Sequence, residues 1–153
     1  MGNGHADHHA NAVPDPRGAS VVGASLTPEG RVYLLLRPAD AEPDESGWLW
    51  VLPGGRREPG EGIEECAARE LREETGIDAR PLEVDADGRR WAVFRLDVPW
   101  PAAIRLSREH AEFDWVPLAE AYRRCPADAL TEMLTRATGR LPPKDEDPNP
   151  EAL

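Results

Sequence analysis

The sequence contains few cysteines and no long apolar run, and both absences exclude classes of protein. Its 153 residues include two cysteines, too few for the disulfide framework of a small secreted domain. A membrane-spanning helix needs about 18 or more consecutive apolar residues, and the sequence has no such run, so we expect no membrane partner. Residues 1–11 are polar and do not form a secretory signal, so we expect a cytoplasmic location.

Lysine is nearly missing as well. Lys144 is the one lysine among 18 basic residues, and 29 acidic residues give a formal net charge of −11. Binding to duplex nucleic acid depends largely on lysine and arginine, so the charge argues against a duplex nucleic-acid partner. A small anionic ligand remains compatible with the sequence if arginines or bound cations neutralise its charge locally.

The length predicts one domain, which we place at residues 18–140. Residues 1–17 are rich in His, Asn, Asp and Pro, and residues 141–153 carry four prolines and several acids, so both tails are predicted to be disordered. The first tail contains His5, His8 and His9. These histidines indicate a non-specific tract rather than a metal site, because no second cluster supplies rigid partners.

Local patterns predict a mixed α/β domain. The ranges predicted as strands are 19–27, 31–37, 48–52, 82–86, 90–98 and 113–116. The ranges predicted as helices are 62–75, 118–124 and 127–138. The first two strands are expected to form one hairpin, and the strands on either side of Asp87-Gly88 a second. Gly76 lies where a left-handed residue would end the first helix, and Cys66 is expected to be buried within that helix.

The first helix carries the most informative pattern. An apolar stripe recurs every four residues, at Ile63, Ala67 and Leu71. Three acids occupy positions i, i+3 and i+4 of a neighbouring face, at Glu70, Glu73 and Glu74. Like charges at this spacing destabilise a helix, and acids near its C-terminus oppose the helix dipole. These residues alone leave two interpretations open: a solvated acidic face, or a site for Mg²⁺, which prefers carboxylate oxygens.

The segment from residue 55 to residue 77 resembles the Nudix box, G-x5-E-x7-R-E-U-x-E-E-x-G-U, in which U is a bulky aliphatic residue. Every defined position is filled, by Gly55, Glu61, Arg69, Glu70, Leu71, Glu73, Glu74, Gly76 and Ile77. The resemblance implies a Nudix fold, an α/β/α sandwich with a mixed central sheet. It also implies a hydrolase that cleaves a nucleoside diphosphate linked to another group.

The resemblance further implies roles for individual residues. Ligands of Mg²⁺ or Mn²⁺ would be Glu70, Glu73 and Glu74, together with the carbonyl of Gly54 or Gly55. Arg69 would hold the glutamates in place by ion pairing, and it joins Glu73 in the implied catalytic set. Glu61 would orient the same cluster, whereas Gly55 and Gly76 would have backbone roles.

A second segment, residues 104–118, resembles the Glu-His-x-Glu loop and the following strand of many Nudix enzymes. In relatives a glutamate of this loop is a further metal ligand or the base that deprotonates water. Glu109 and Glu112 are both candidates, and we favour Glu112 as the base. His110 is expected either to contact substrate or to hydrogen-bond to the backbone, and the sequence leaves both open.

Substrate contacts are the least determined part of the sequence. Arg37 and Arg56 are candidates to bind phosphate oxygens, with surface positions as the alternative. Three tryptophans are candidates to stack on a base or to pack in the core: Trp48, Trp50 and Trp91. We expect a nucleoside triphosphate to be cleaved to monophosphate and pyrophosphate. The alternatives are a dinucleoside polyphosphate hydrolase, a non-nucleotide metabolite diphosphatase and a non-catalytic binding module. Homodimers are common in the family.

Overall fold

The computed structural model describes residues 16–45, 47–85 and 90–143, with Asp85 described through its backbone alone. Most of both predicted tails and the predicted turn at Asp87-Gly88 lie outside the described residues. Within them the elements, in chain order, are β1 (Gly18–Thr27), β2 (Gly30–Pro38), β3 (Gly54–Arg56), α1 (Ile63–Thr75), β4 (Leu82–Asp85), β5 (Trp91–Val98), β6 (His110–Val116), α2 (Leu118–Arg124) and α3 (Asp128–Thr138).

The strands form one mixed sheet in the order β4-β5-β1-β2-β6. Strands β1 and β5 are parallel, and the remaining pairs are antiparallel. One edge of β1 is shared by two partners, since β3 pairs with residues 18–20 and β2 pairs with residues 24–27. Both predicted hairpins, β1-β2 and β4-β5, are therefore confirmed as antiparallel pairs.

Helices cover both faces of the sheet. On one face, Ala19 and Val21 of β1 and Phe94 of β5 pack against α1. On the other face, alternate residues of the same strands, such as Val22 and Val93, pack in a core with α2 and α3. Successive side chains of a strand point to opposite faces, so each strand contributes to both cores. The α/β/α sandwich with a mixed sheet that the sequence predicted is confirmed.

Helix α1 has the predicted stripe and the predicted end. Ala67 and Leu71 are fully buried, and Ile63 packs at the margin of the same core. Gly76 has a left-handed conformation with φ of 76°, and its amide donates a 2.9 Å hydrogen bond to the carbonyl of Arg72. Glycine adopts this conformation without steric cost, and the chain therefore turns away from the helix directly after Thr75.

The predicted strand at residues 48–52 is wrong. This segment pairs with the sheet through a single bridge, between Leu36 and Val51, and Leu52 is buried. The third strand lies at Gly54–Arg56 instead, paired with the start of β1. A short apolar run is consistent with a buried strand or with a loop that packs on the core. The run at residues 48–52 is a loop that packs on the core.

Both cysteines are free and buried, and the burial of Cys66 within α1 was expected. Burial raises the pKa of the Cys66 thiol to about 11 and that of Cys125 to about 12. Arg17 was predicted to lie in the N-terminal tail. It is joined to the domain instead, because its amide donates a 2.6 Å hydrogen bond to the carbonyl of Arg90. In the described part of the chain, no helix has the length and apolar character needed to cross a membrane.

Candidate active site

The three glutamates of α1 differ in their exposure to solvent. Glu74 is 4% exposed and Glu70 is 13% exposed, whereas 54% of the Glu73 side chain is accessible. The cluster therefore runs from a buried carboxylate at the sheet to a solvent-facing one. A solvated acidic face would expose all three side chains, so this gradient argues against that alternative.

Arg69 hydrogen-bonds to Glu61, Glu70 and Glu73 through its three guanidinium nitrogens. Its Nε and Nη2 donate to the two carboxylate oxygens of Glu61 at 2.6 and 3.0 Å. Its Nη1 donates to Glu70 at 3.0 Å and to Glu73 at 3.1 Å. The hydrogen bonds from Arg69 lower the pKa of Glu61 to about 2. A planar guanidinium suits this arrangement because its donors are fixed in direction.

Glu74 is held against the sheet by a backbone amide. Gly54, at the start of β3, donates its N–H to Glu74 Oε1 at 2.8 Å. Burial raises the pKa of the Glu74 carboxyl to about 8, against the opposing effect of the Gly54 hydrogen bond and with repulsion from Glu70 and Glu109. Burial also raises the pKa of Glu70, in spite of Arg69. Both carboxyls lie where a cation would be stabilising.

A hollow of about 580 Å³ opens over Glu74 and is lined by Pro38, Ala39, Asp40, Gly54, Glu74, Arg108, Glu109 and His110. Ligand atoms of Glu74, Glu109 and His110 lie within 4.8 Å of one another. The loop that precedes β6 is fixed to the end of β2, because Ala39 donates its N–H to the carbonyl of Glu109 at 2.8 Å. Burial lowers the pKa of His110, whereas Glu109 and Asp40 oppose that effect.

Glu112 lies elsewhere. It is paired with Arg37 across β2 and β6, and its Oε2 accepts a 2.9 Å hydrogen bond from Arg37 Nε. The Arg37 guanidinium also covers the ring of Trp48 at 4.1 Å from the ring centroid. Arg37 shares the face of β2 with Leu35, whose side chain belongs to the core beneath α2 and α3. This face of the sheet is opposite α1.

Arg56 lines a second hollow, of about 640 Å³, beside the loop that precedes α1. The hollow is bounded by Arg17, Arg56, Arg57, Glu58, Pro59, Gly60 and Glu61. The carbonyl of Arg56 accepts a 3.1 Å hydrogen bond from Arg69 Nη2, which connects this wall to the glutamate cluster. Three of the lining residues are arginines and two are glutamates, so the hollow has a small excess of positive charge in a chain with net charge −11.

The tryptophans named as stacking candidates have different positions. Trp48 is 41% exposed, Trp50 packs on the core near α2, and Trp91 donates its indole N–H to Ser20 at 2.9 Å. Sequence reasoning missed Asp40 and Arg108, both of which line the hollow over Glu74. Arg108 directly precedes Glu109, so the loop motif contained a signal for it. Asp40 lies in a polar loop with no such signal.

The donor set fits a hard divalent cation. Carboxylate oxygens are the ligands that Mg²⁺ and Mn²⁺ take in proteins, and Mg²⁺ commonly uses a few carboxylates together with substrate phosphates. Glu74 supplies the strongest observation, since a buried carboxylate with a raised pKa is stabilised in its ionised form by a nearby cation. Glu70 and Glu73 continue the set toward solvent.

The sheet has α1 on one face and α2 and α3 on the other, and the carboxylates of α1 lie at the first of these faces. This is the arrangement of a Nudix-fold domain. The sequence profile of the NUDIX domain matches residues 16–137. The chain belongs to the NUDIX family of hydrolases. It is 35% identical over 116 residues to the CTP pyrophosphohydrolase of Escherichia coli (strain K12), covering 71% of this chain and 84% of that protein.

Other relatives differ in length and in the activity their names give. A Myxococcus xanthus protein named octanoyltransferase is 38% identical over 143 residues, covering 84% of this chain but only 38% of that protein. The pig asymmetrical bis(5'-nucleosyl)-tetraphosphatase is 36% identical over 85 residues, covering 47% of this chain and 58% of that protein. The chain thus spans less than two thirds of some of the curated relatives it matches.

Solved structures agree on the fold. A Listeria monocytogenes NUDIX hydrolase has a TM-score of 0.64 at 22% identity, over 80% of this chain and 91% of that chain. A Caenorhabditis elegans Ap4A hydrolase in a binary complex has a TM-score of 0.60 at 23% identity, over 78% of this chain and 92% of that chain. At these identities the likeness establishes the fold alone.

Proposed function

We propose that the protein is a divalent-metal-dependent pyrophosphohydrolase that cleaves a nucleoside triphosphate to the monophosphate and pyrophosphate. The observation that carries this proposal is the buried Glu74 carboxylate, held by Gly54 and faced by Glu70 and Glu109. Mg²⁺ or Mn²⁺ would be held by Glu70, Glu73 and Glu74. Such an ion would neutralise charge on the phosphates and would lower the pKa of a bound water molecule.

The chain's own residues have separate tasks in this proposal. Glu109 accepts the proton of the attacking water, because its carboxylate lies beside Glu74 on a loop anchored to β2. Arg69 keeps Glu70 and Glu73 oriented. We propose Glu109 in preference to Glu112, since Glu112 is ion-paired with Arg37 on the face of the sheet opposite α1.

The arginines adjoining the cluster are proposed to bind the phosphates. Arg108 lines the hollow over Glu74, and Arg56 lines the neighbouring hollow beyond Glu61. A guanidinium binds phosphate oxygens through paired hydrogen bonds, and this protein has almost no lysine to take that part. Arg37 is less suited, because its guanidinium is already engaged by Glu112 and Trp48.

A triphosphate is the proposed substrate class because of the relative that the chain matches over most of its length, which is named a CTP pyrophosphohydrolase. The hollow over Glu74, at about 580 Å³, falls in the range of about 300–1,000 Å³ typical of small-molecule sites. A dinucleoside polyphosphate is the second candidate, since the pig tetraphosphatase matches the chain at 36% identity over 85 residues.

The test is a substrate panel with the products separated. Purified protein is incubated with Mg²⁺ or Mn²⁺ and with ribonucleoside and deoxyribonucleoside triphosphates, dinucleoside tetraphosphates, and sugar and isoprenoid diphosphates. We expect monophosphate and pyrophosphate from at least one triphosphate, and loss of turnover when a chelator is added. Release of products from the dinucleoside substrates alone would assign the second candidate, and turnover of no compound would indicate a binding module.

A further inference from the structure

A histidine lies beside the carboxylates in the hollow over Glu74. His110, the first residue of β6, has a ring nitrogen within 4.8 Å of carboxylate oxygens of Glu74 and Glu109. The three side chains come from two separate parts of the chain. Glu74 belongs to α1, whereas Glu109 and His110 are neighbours where the chain enters β6. An ion bound by Glu74 and His110 would therefore connect α1 to the start of β6.

The His110 ring also has an unsatisfied polar atom. Its Nδ1 is buried and has no hydrogen-bond partner among the residues that the structure describes. An unpaired buried polar atom costs about 1–3 kcal/mol, so such atoms commonly mark a bound water, an ion or a functional contact. This observation is independent of the carboxylates, and an ion or a water molecule bound at the ring would satisfy the atom.

The backbone holds His110 and Glu109 in fixed positions. His110 is paired with Pro38 at the end of β2, and the carbonyl of Glu109 accepts the 2.8 Å hydrogen bond from Ala39. A histidine on an anchored segment is suited to ligate an ion, because little conformational entropy is lost when the ion binds.

We propose that His110 supplies a nitrogen ligand to a divalent ion held by Glu74, while Glu109 beside it remains the proposed base. The site as a whole therefore favours Mn²⁺, Co²⁺ or Zn²⁺ over Mg²⁺. Imidazole is a ligand of the borderline transition metals, whereas Mg²⁺ prefers sites made only of oxygen. This inference rests on the proposed function in one respect, namely that the α1 carboxylates form an ion site.

The test is Mn²⁺ binding to the full chain and to the His110→Gln variant. Free Mn²⁺ is counted by its electron paramagnetic resonance signal, and the bound ion is examined by electron spin echo envelope modulation, which detects a directly bonded ¹⁴N nucleus. Glutamine is chosen because its amide oxygen can still ligate while the imidazole nitrogen is lost. We expect a strong ¹⁴N modulation in the wild type and its loss in the variant.

The variant is also expected to bind Mn²⁺ at least about tenfold more weakly, since even an outer-shell partner of a metal ligand is worth about 10–100-fold in affinity. The concentration of Mg²⁺ needed to displace Mn²⁺ should fall in proportion. His5, His8 and His9 are unchanged in the variant, so a modulation that came from them would persist and would contradict the proposal.

The outcomes separate this inference from the proposed function. If Mn²⁺ binds tightly without ¹⁴N modulation in the wild type, and a triphosphate is still hydrolysed, His110 is not a ligand and the pyrophosphohydrolase proposal stands. If Mn²⁺ does not bind and no panel compound is turned over, the ion site itself is refuted, and both proposals fail together.

Discussion

The amide of Gly54 and the carboxylate of Glu74 join the first residue of β3 to the last turn of α1 through a 2.8 Å hydrogen bond. Residues 54–56 are themselves paired with β1, so the position of the carboxylate is fixed relative to the central strand of the sheet. Glu74 is thereby kept in place although burial disfavours its charge.

Replacing Glu74 or Glu73 by Gln should lower kcat by about 10²-fold or more, because each change removes a charge proposed to hold the ion that stabilises the reacting phosphates. In Glu74→Gln the introduced amide oxygen can still accept the Gly54 hydrogen bond, so far-UV circular dichroism should be unchanged. Glu64→Gln, at the exposed start of the same helix, is the matched control. Near-normal rates in both Glu73→Gln and Glu74→Gln would refute the metal assignment.

The metal-free protein should lose stability as the pH rises from about 4.5 to about 8. The unfolded chain releases the Glu74 proton near the ordinary pKa of 4.5, whereas the folded chain retains it up to a pKa of about 8. Between these values the folded state binds more protons, so the free energy of unfolding falls with pH, by on the order of a few kcal/mol. Urea unfolding in a chelator measures the effect.

Glu74→Gln is the reference for this pH series, because its side chain does not titrate and its unfolding should lack the corresponding decline. Wild-type and variant curves that run parallel from pH 4.5 to pH 8 would contradict the assignment. Addition of Mg²⁺ or Mn²⁺ should stabilise the wild type most at high pH, where the carboxylate is ionised.

Arg69→Lys should weaken metal binding by about 10–100-fold while leaving the helix intact. A lysine provides one ammonium group, which cannot replace the hydrogen bonds that the guanidinium donates to Glu61, Glu70 and Glu73 at the same time. Isothermal titration with Mn²⁺ gives the affinity. Arg72→Lys, at an exposed position of the same helix, is the control, and equal effects of the two changes would contradict the orienting role.

Glu109→Gln should lower kcat by about 10²–10⁴-fold, as expected for loss of a general base. Glu112→Gln should leave the rate within a few-fold, because Glu112 is paired with Arg37 on the face of the sheet opposite α1. Steady-state assays of the two variants, one change each on the same loop and strand, make the comparison. The reverse order of effects would restore Glu112 as the base.

Gly55→Ala should disable the site without unfolding the domain. A Cβ atom at this position would overlap the carboxylate of Glu70, and the backbone there is fixed by its pairing with Ala19. The carboxylate must move, so Mn²⁺ affinity and turnover should both fall. Gly23→Ala is the control, because its added Cβ would meet Leu34 at an ordinary 3.5 Å. Normal Mn²⁺ affinity in Gly55→Ala would contradict the predicted displacement.

Sequence patterns predicted those elements whose determinants are local. Helix α1 has its apolar stripe, its acids and Gly76 within one short stretch, and the two hairpins join strands that are neighbours in the chain. The wrong strand at residues 48–52 and the missed strand β3 have a common cause. Gly54 and Gly55 have low strand propensity, and they pair with β1 because of distant contacts that a local pattern does not contain.

The same division between local and distant determinants applies to the candidate site. The α1 glutamates and Arg69 follow from one helix, so their proximity is a matter of spacing. The choice between Glu109 and Glu112 depends on where β6 begins and on which side of the sheet each residue lies. Arg37 illustrates the same limit, because its engagement by Glu112 and Trp48 requires the register of two strands and the path of a loop.

The shared edge of β1 has a consequence for how such a domain diversifies. Since β2 and β3 each pair separately with β1, residues 39–53 bridge two independently secured ends, and their length does not set the register of either strand. Insertions and deletions in that connection would reshape the rim around Asp40 and Trp48 while the helix with its acids keeps its place. We therefore expect that ligand selectivity at this rim can change in evolution separately from the carboxylates of α1.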